Sequence, residues 1–149
     1  MRAQDTGEIS NTEEAIHQER SFTAPRARIY SALTVAALFD RMLQQGGVMP
    51  MDGKSQQSTT LSPQVGATFA LFGGHIVGRQ LELVADELIV QAWRVVNWPR
   101  GLYSIARFEL SDQGGGTKLV FDHTGFPKGD AEHLAAGWQE HYWEPLTKL

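Results

Sequence analysis

Residues 66–124 consist of short segments in which apolar and polar residues alternate, separated by turns rich in glycine. Successive side chains of a β-strand point to opposite faces of the sheet, so this alternation predicts antiparallel strands with one buried face. The predicted strands cover 67–73, 76–84, 88–94, 103–110 and 117–124. In the second strand, Leu81 and Leu83 alternate with Gln80 and Glu82, and we expect the two leucines to face the core.

A long amphipathic segment follows the strands. We predict one helix over 131–149, begun by Asp130 as its N-cap, because apolar residues recur along it at steps of three and four. The predicted buried stripe consists of Leu134, Trp138, His141, Tyr142, Pro145, Leu146 and Leu149. Pro145 is expected to kink this helix or to tighten its last turns, because proline has no backbone N–H.

The chain before the alternating region predicts one strand and two short helices. We expect the strand over 15–23, the first helix over 25–32, and the second helix over 35–43 with Thr34 as its N-cap. Residues 47–66 are rich in Gly, Pro, Ser and Gln. This composition is typical of a loop, which we expect to form one lip of a pocket.

This order of elements predicts an α+β fold. One helix is too narrow to cover the apolar face of about six antiparallel strands, so the sheet has to curve around the C-terminal helix. The two short helices after the first strand would then close one end. Large aromatic side chains at the inner positions favour an apolar cavity between sheet and helix, which is the usual kind of site for a small molecule.

Composition narrows the classes of function. The chain has 149 residues, typical of one domain, with 13 Lys and Arg against 17 Asp and Glu and a formal net charge of −4. This charge argues against a dedicated nucleic-acid-binding protein, whose affinity rests on a basic surface. Cysteine is absent, which excludes disulfides, thiolate catalysis, and cysteine-ligated zinc or iron–sulfur clusters.

The ends and the hydropathy of the chain suggest its location and domain organisation. We find no secretory signal and no apolar stretch long enough to span a membrane, so we expect a cytoplasmic protein. Residues 1–12 hold one large aliphatic residue, Ile9, and are expected to form a flexible tail. Residues 13–149 are expected to form a single domain.

Several short motifs carry a resemblance to a known family. They are Phe22-Thr23-Ala24-Pro25, Ala32-Leu33-Thr34, Gly66-Ala67-Thr68-Phe69, the strand ending in Trp93, Gly115-Gly116-Thr117-Lys118-Leu119, His123-Thr124-Gly125-Phe126, and His133-Leu134-Ala135-Ala136-Gly137-Trp138 followed by Tyr142-Trp143. With the order of elements, these motifs make the chain similar to the START-like or SRPBCC superfamily with its helix-grip fold. Within it, the chain resembles bacterial proteins similar to the C-terminal domain of the activator of the ninety-kilodalton heat-shock chaperone ATPase.

The resemblance implies a helix-grip fold with a cavity, but no shared reaction, because the relatives include ligand carriers, lipid binders, cyclases and chaperone partners. The leading hypothesis is a module that binds a hydrophobic small molecule (a lipid, an aromatic metabolite or an isoprenoid) and needs no cofactor. The candidate residues for lining its cavity are Phe39, Met42, Phe69, Leu71, Trp93, Phe108, Phe121, His123, Trp138, His141 and Tyr142. A module that binds a chaperone is the second hypothesis.

A cyclase- or hydrolase-like enzyme is the third hypothesis, although we favour a protein without catalytic activity. His123, His141 or Tyr142 would act as its acid or base, because imidazole titrates near neutral pH. No pair of the five histidines has the spacing of the H-E-x-x-H motif, so no metal site is predicted. Gly137, on the inner face of the C-terminal helix, is expected to let a strand or Trp93 approach closely; the alternative is that it makes room for a ligand.

Overall fold

The computed structural model describes residues 14–48 and 59–149. The predicted tail, 1–12, lies outside the described residues, and so do residues 49–58 of the predicted loop. The elements before the C-terminal helix are β1 (Ala15–Phe22), α1 (Arg26–Thr34), α2 (Ala36–Gln45), β2 (Thr68–Leu71), a 3-10 turn (Phe72–Gly74), β3 (Ile76–Val84), β4 (Leu88–Val95), β5 (Ser104–Gln113) and β6 (Gly116–Thr124). The C-terminal helix consists of α3 (Ala131–Trp138), a π-helical turn (Gln139–Trp143) and α4 (Glu144–Thr147).

The six strands form one curved antiparallel sheet in the order β1-β6-β5-β4-β3-β2. From β2 to β6 each strand pairs with the next one along the chain, and β1 returns to pair with β6. The C-terminal helix packs in the concave side of the sheet, with Trp138 lying against Phe121 at a ring-centroid distance of 4.3 Å. This arrangement confirms the predicted α+β helix-grip fold.

The inner face of β3 differs from the prediction. Gln80 is buried, with 1% of its surface exposed, whereas Leu81 is 42% exposed. A register shift between Gln80 and Glu82 breaks the alternation at this point. The buried amide is satisfied because Gln91, on the neighbouring strand, donates a hydrogen bond of 3.1 Å to its oxygen. The prediction that Leu81 faces the core is therefore wrong, because a cross-strand amide pair occupies that face.

The two short helices close one end of the sheet, as predicted, but Thr34 does not cap α2. Thr34 is the last residue of α1, and its hydroxyl donates a hydrogen bond of 2.8 Å to the carbonyl of Tyr30. The α2 helix ends at Gly46, where an added Cβ would lie 2.8 Å from Pro145. A larger residue at this position would therefore separate α2 from α4.

The C-terminal helix departs from a regular α-helix near its end. Asp130 makes no side-chain capping bond, contrary to the prediction, and only its backbone carbonyl joins the helix by accepting from the N–H of Leu134. The π-helical turn lies directly before α4, in which Pro145 occupies the first turn. Because Pro145 has no N–H, the carbonyl of His141 cannot accept the usual backbone hydrogen bond of an α-helix. The wider π-helical turn accommodates the loss of this bond. Within residues 14–48 and 59–149, no helix is both long and apolar enough to cross a bilayer.

Candidate functional site

A cleft of about 480 Å³ lies at one end of the sheet, between the C-terminal helix and strands β3 and β4. Its aromatic lining consists of Phe72, Trp93, Trp98, Trp138 and Tyr142. Its titratable lining consists of His75, Asp130, His133, Glu140 and His141. Smaller or uncharged side chains complete it, namely Ile76, Val95, Asn97, Leu134, Ala136 and Gly137. A volume of this size is within the usual range of about 300–1,000 Å³ for small-molecule sites.

The aromatic rings of the cleft form a continuous wall. The ring centroids of Trp98 and Trp93 are 5.8 Å apart, and those of Trp93 and Trp138 are 5.2 Å apart. Tyr142 follows Trp138 at 4.3 Å, and Phe72 follows Tyr142 at 5.9 Å. Ring pairs at these distances attract one another, so the wall holds its shape without a ligand.

The turn before β3 places Phe72 in this wall. Phe72 has φ 54°, which lies in the left-handed region that bulky residues seldom occupy. Gly73 and Gly74, which follow it, also have positive φ and so allow the chain to reverse sharply. Backbone strain of this kind concentrates at binding and catalytic sites, and here it directs an aromatic ring to the cleft.

One buried polar atom of the wall, the indole nitrogen of Trp93, lacks a hydrogen-bond partner. Trp93 is 3% exposed, and its indole N–H is the buried side-chain polar atom without a hydrogen bond among the described residues. The Tyr142 hydroxyl lies close to this N–H, near enough for a weak interaction but without the geometry of a full hydrogen bond. Burial raises the pKa of Tyr142, an effect that the neighbouring Trp93 only partly offsets. The hydroxyl is therefore neutral at physiological pH and able to donate a hydrogen bond to a molecule in the cleft.

His123 lies beneath the wall and is fully buried. The Trp138 indole N–H donates to its Nδ1 at 3.0 Å, and its Nε2 lies 2.6 Å from the hydroxyl of Ser104. That hydroxyl donates its hydrogen to the carbonyl of Trp93 at 2.9 Å, so its oxygen accepts a hydrogen bond from the Nε2–H of His123. These partners assign a single neutral tautomer, with the proton on Nε2.

The pKa of His123 agrees with this assignment. Burial lowers it to about 3, because a charged imidazolium would lose its hydration in the core. If Nδ1 were also protonated, its N–H would point at the indole N–H of Trp138, so two hydrogen-bond donors would face each other. His123 is thus a structural residue that joins the C-terminal helix to the sheet, and it is poorly suited to act as an acid or base.

His141 has a different environment, on the π-helical turn. Its Nδ1 lies 3.1 Å from the carbonyl of Gly137, and since a carbonyl only accepts, Nδ1 carries the proton in this contact. The Nε2 atom is then free to accept a hydrogen bond when the ring is neutral. The ring also packs against Phe72, with a centroid distance of 5.6 Å.

The structure divides the predicted lining residues into two groups. Trp93, Trp138, His141 and Tyr142 line the cleft. The others belong to the packed core beside or beneath it, and they are Phe39, Met42, Phe69, Leu71, Phe108, Phe121 and His123. Whether any of these residues binds a ligand stays a prediction.

Sequence reasoning missed several lining residues because they lie in turns or at the mouth of the cleft. His75 and Asn97 come from connections where no periodicity indicates which way a side chain points. Gly137 was expected to allow close packing, but an added Cβ there would meet only His141 Nδ1, at 3.9 Å. That expectation is wrong, because the missing side chain leaves open space in the cleft wall. Room for a ligand at this position stays a prediction.

Metal binding has no support in the described part of the chain. No group of three or more His, Asp or Glu side chains there is arranged to hold a metal ion.

The sequence profile of the family described as "Activator of Hsp90 ATPase homolog 1-like protein" matches residues 23–149. The chain belongs to this family. It is 27% identical over 135 residues to the mouse "Activator of 90 kDa heat shock protein ATPase homolog 2", a match that covers 91% of this chain and 37% of the mouse protein. It is 32% identical over 89 residues to the human homolog 1, covering 60% of this chain and 26% of the human protein. The chain thus matches well under half the length of these relatives.

Solved structures of similar shape support the fold assignment. The "HSP90 activator from plasmodium falciparum" aligns with a TM-score of 0.74 at 23% identity, covering 87% of this chain and 90% of that one. The "Aha1 dimer from Colwellia psychrerythraea" aligns with a TM-score of 0.69 at 16% identity, covering 89% and 93% of the two chains. At these identities the likeness establishes the fold of this family member and nothing about its ligand or partner.

Proposed function

We propose that this family member is a START-like module that binds an apolar small molecule, with an aromatic or isoprenoid body, in the cleft. The carrying observation is the indole N–H of Trp93, which is buried, unpartnered and part of the cleft wall. A buried donor without a partner is costly in a folded protein, by about 1–3 kcal/mol, and is rare unless it serves a purpose. A ligand that engages the Trp93–Tyr142 pair would remove this cost.

Gly137 supports the proposal independently. Glycine inside a helix destabilises it by about 1 kcal/mol relative to alanine, yet nothing packs close to Gly137 to require it. The position gains space next to His141 and Tyr142 instead. Space next to an aromatic wall favours the binding of a flat or apolar molecule.

The test is a titration of the ¹⁵N-labelled protein with naphthalene-methanol, farnesol and a medium-chain alcohol, followed by amide chemical shifts. We expect saturable shifts at cleft residues such as His75 and Gly137 with at least one probe. Gly137→Leu should weaken that binding at least tenfold by filling the cleft, whereas the control Gly137→Ala, which adds one methyl group, should retain most of it. Absence of saturable shifts with every probe would contradict the proposal.

A second candidate function is binding to the ninety-kilodalton heat-shock chaperone. Membership of the activator family favours it, and the mouse relative named for that activity matches 91% of this chain. The test is the ATPase rate of the chaperone from the same organism with and without this protein. A raised rate would support a chaperone role, and an unchanged rate together with no complex in sedimentation would exclude it.

Catalysis by His141 or Tyr142 is a less supported alternative. Both residues line the cleft, but within residues 14–48 and 59–149 the polar contact of His141 is a backbone carbonyl, which cannot activate it as a base. If a reaction is found, its rate should fall in His141→Gln or Tyr142→Phe. Full activity in both variants would exclude these assignments.

A further inference from the structure

The charges around the cleft are unequal. The described lining residues include two carboxylates, Asp130 and Glu140, and no lysine or arginine. Neither carboxylate forms an ion pair or a side-chain hydrogen bond within residues 14–48 and 59–149, so their charge is not neutralised there. Asp130 is half-buried before the start of α3 and Glu140 is exposed on the π-helical turn. The cleft therefore has negative charge at its mouth.

The wall below this mouth also favours positive charge. The faces of Trp and Tyr rings attract cations, most strongly where water is excluded. Trp98 and Tyr142 belong to the wall and are only 8% and 5% exposed. An ammonium group at the mouth would thus lie close to the aromatic wall as well as to the carboxylates.

We propose that the cleft selects flat apolar molecules that carry an amine, and discriminates against those that carry a carboxylate. The inference rests on the ligand-binding function proposed above and adds the chemical class of the ligand. In the bound state the face of the aromatic body lies against Trp138 and accepts the indole N–H of Trp93. The ammonium group lies at the mouth, where the negative charge of Asp130 and Glu140 attracts it. A carboxylate in the same place would meet these like charges and, among the described lining residues, no lysine or arginine.

Three histidines also face the cleft and have to be controlled. His75 lies before β3, and His133 and His141 lie on the C-terminal helix. Protonated imidazoles would add positive charge next to the carboxylates and reduce the selectivity. The measurement is therefore made at pH 8.5, well above the range in which imidazole side chains ordinarily take up a proton.

The experiment uses three probes with one apolar body, namely 1-naphthylmethylamine, 1-naphthalenemethanol and 1-naphthoate. Affinities are measured by isothermal titration calorimetry on the full chain. We expect the amine to bind about tenfold or more tightly than the carboxylate, because two nearby carboxylates attract one and repel the other. The alcohol should lie between them.

A matched pair of double variants tests the origin of the preference. Asp130→Asn with Glu140→Gln removes both charges at the mouth. The ratio of the affinity for the amine to the affinity for the carboxylate should then approach the value expected from the sizes of the two probes alone. Glu132→Gln with Glu144→Gln removes the same charge from exposed positions of the same helix outside the cleft, and should leave the ratio nearly unchanged.

Each outcome separates this inference from the function on which it rests. Equal or tighter binding of 1-naphthoate, or an equal change of ratio in both double variants, overturns the inference but leaves a ligand-binding cleft. Failure of all three probes to bind contradicts the binding function itself, and the inference with it.

Discussion

Trp138 and Trp143 stack on each other, with ring centroids 5.8 Å apart and planes 19° apart, although five positions separate them. Five residues along a regular α-helix rotate a side chain by roughly 140° from its starting direction, so the two rings would face different sides. The π-helical turn from Gln139 to Trp143 removes most of that rotation. Both indoles therefore face the sheet, and Trp143 has no exposed surface.

Truncation of Trp143 should strongly destabilise the fold. Trp143→Ala removes a fully buried ring that packs on Phe121 at 5.1 Å, and we expect the free energy of unfolding to fall by about 3–5 kcal/mol. Urea denaturation at pH 7 measures the change. Val96→Ala, at a residue that is 53% exposed, is the control and should alter stability by less than about 0.5 kcal/mol. A similar small change in Trp143→Ala would contradict the packing described here.

Acid should destabilise the protein through His123. Because burial lowers its folded pKa to about 3, the unfolded chain binds a proton below about pH 6.5 that the folded protein does not. Stability from this residue is thus present above pH 6.5 and is lost on acidification towards pH 3. Between pH 7 and pH 5 the expected loss is about 2 kcal/mol.

The contribution of His123 is isolated by difference. His123→Gln should lose less stability than the wild type between pH 7 and pH 5, whereas the control His133→Gln, at an exposed position, should behave like the wild type. Equal losses in all three proteins would show that His123 takes up its proton normally in the folded state.

His17 should titrate in the opposite direction. Its Nδ1 lies 2.7 Å from Asp122 and its Nε2 lies 2.8 Å from Glu19. The hydrogen bond to Asp122 is the largest cause that raises the pKa of His17, and the hydrogen bond to Glu19 is the next largest. We expect an NMR titration of the ring protons to give a value above 6.5, and Asp122→Asn to lower it. A value that does not respond to Asp122→Asn would mean that this pair does not persist in solution.

Substitution by alanine at two glycines should change the stability of the protein in opposite directions. Gly137→Ala should raise the free energy of unfolding by up to about 1 kcal/mol, because the methyl group meets only His141 at ordinary contact distance. Gly78→Ala should lower it by about 2 kcal/mol or more, because its Cβ would lie 2.0 Å from the Ala92 carbonyl oxygen and 2.4 Å from the Phe69 ring. Thermal unfolding of both variants gives the comparison, which fails if the two shifts have the same sign.

Alternation and helical spacing predicted the fold because they report directly on which side chains are buried. They placed β3 over its observed bounds, Ile76–Val84. They failed at Gln80, whose burial depends on an amide from a strand that pairs with it. A one-dimensional pattern contains no information on such partners.

The candidate site was less predictable for the same reason. Trp93, Trp138, His141 and Tyr142 were identified as lining candidates from their positions on inner faces, and they meet in the cleft. Trp98 comes from a loop, and the direction of its side chain depends on Trp93. The space at Gly137 could not be distinguished from close packing without the neighbouring strands in place.

The hydrogen bonds that run from Trp138 through His123 and Ser104 to the Trp93 carbonyl have one allowed direction, because an indole only donates and a carbonyl only accepts. Trp138 and Trp93, at the two ends of this series of hydrogen bonds, both line the cleft. The bond to His123 fixes the Trp138 indole, and the Trp93 ring packs on the His123 ring at a centroid distance of 4.9 Å. The interior of the protein thus sets the orientation of both rings, whatever molecule binds. The cleft is therefore preorganised at these two rings, and a ligand has to match their spacing. Only the side chains at the rim can adapt to ligands of different shape.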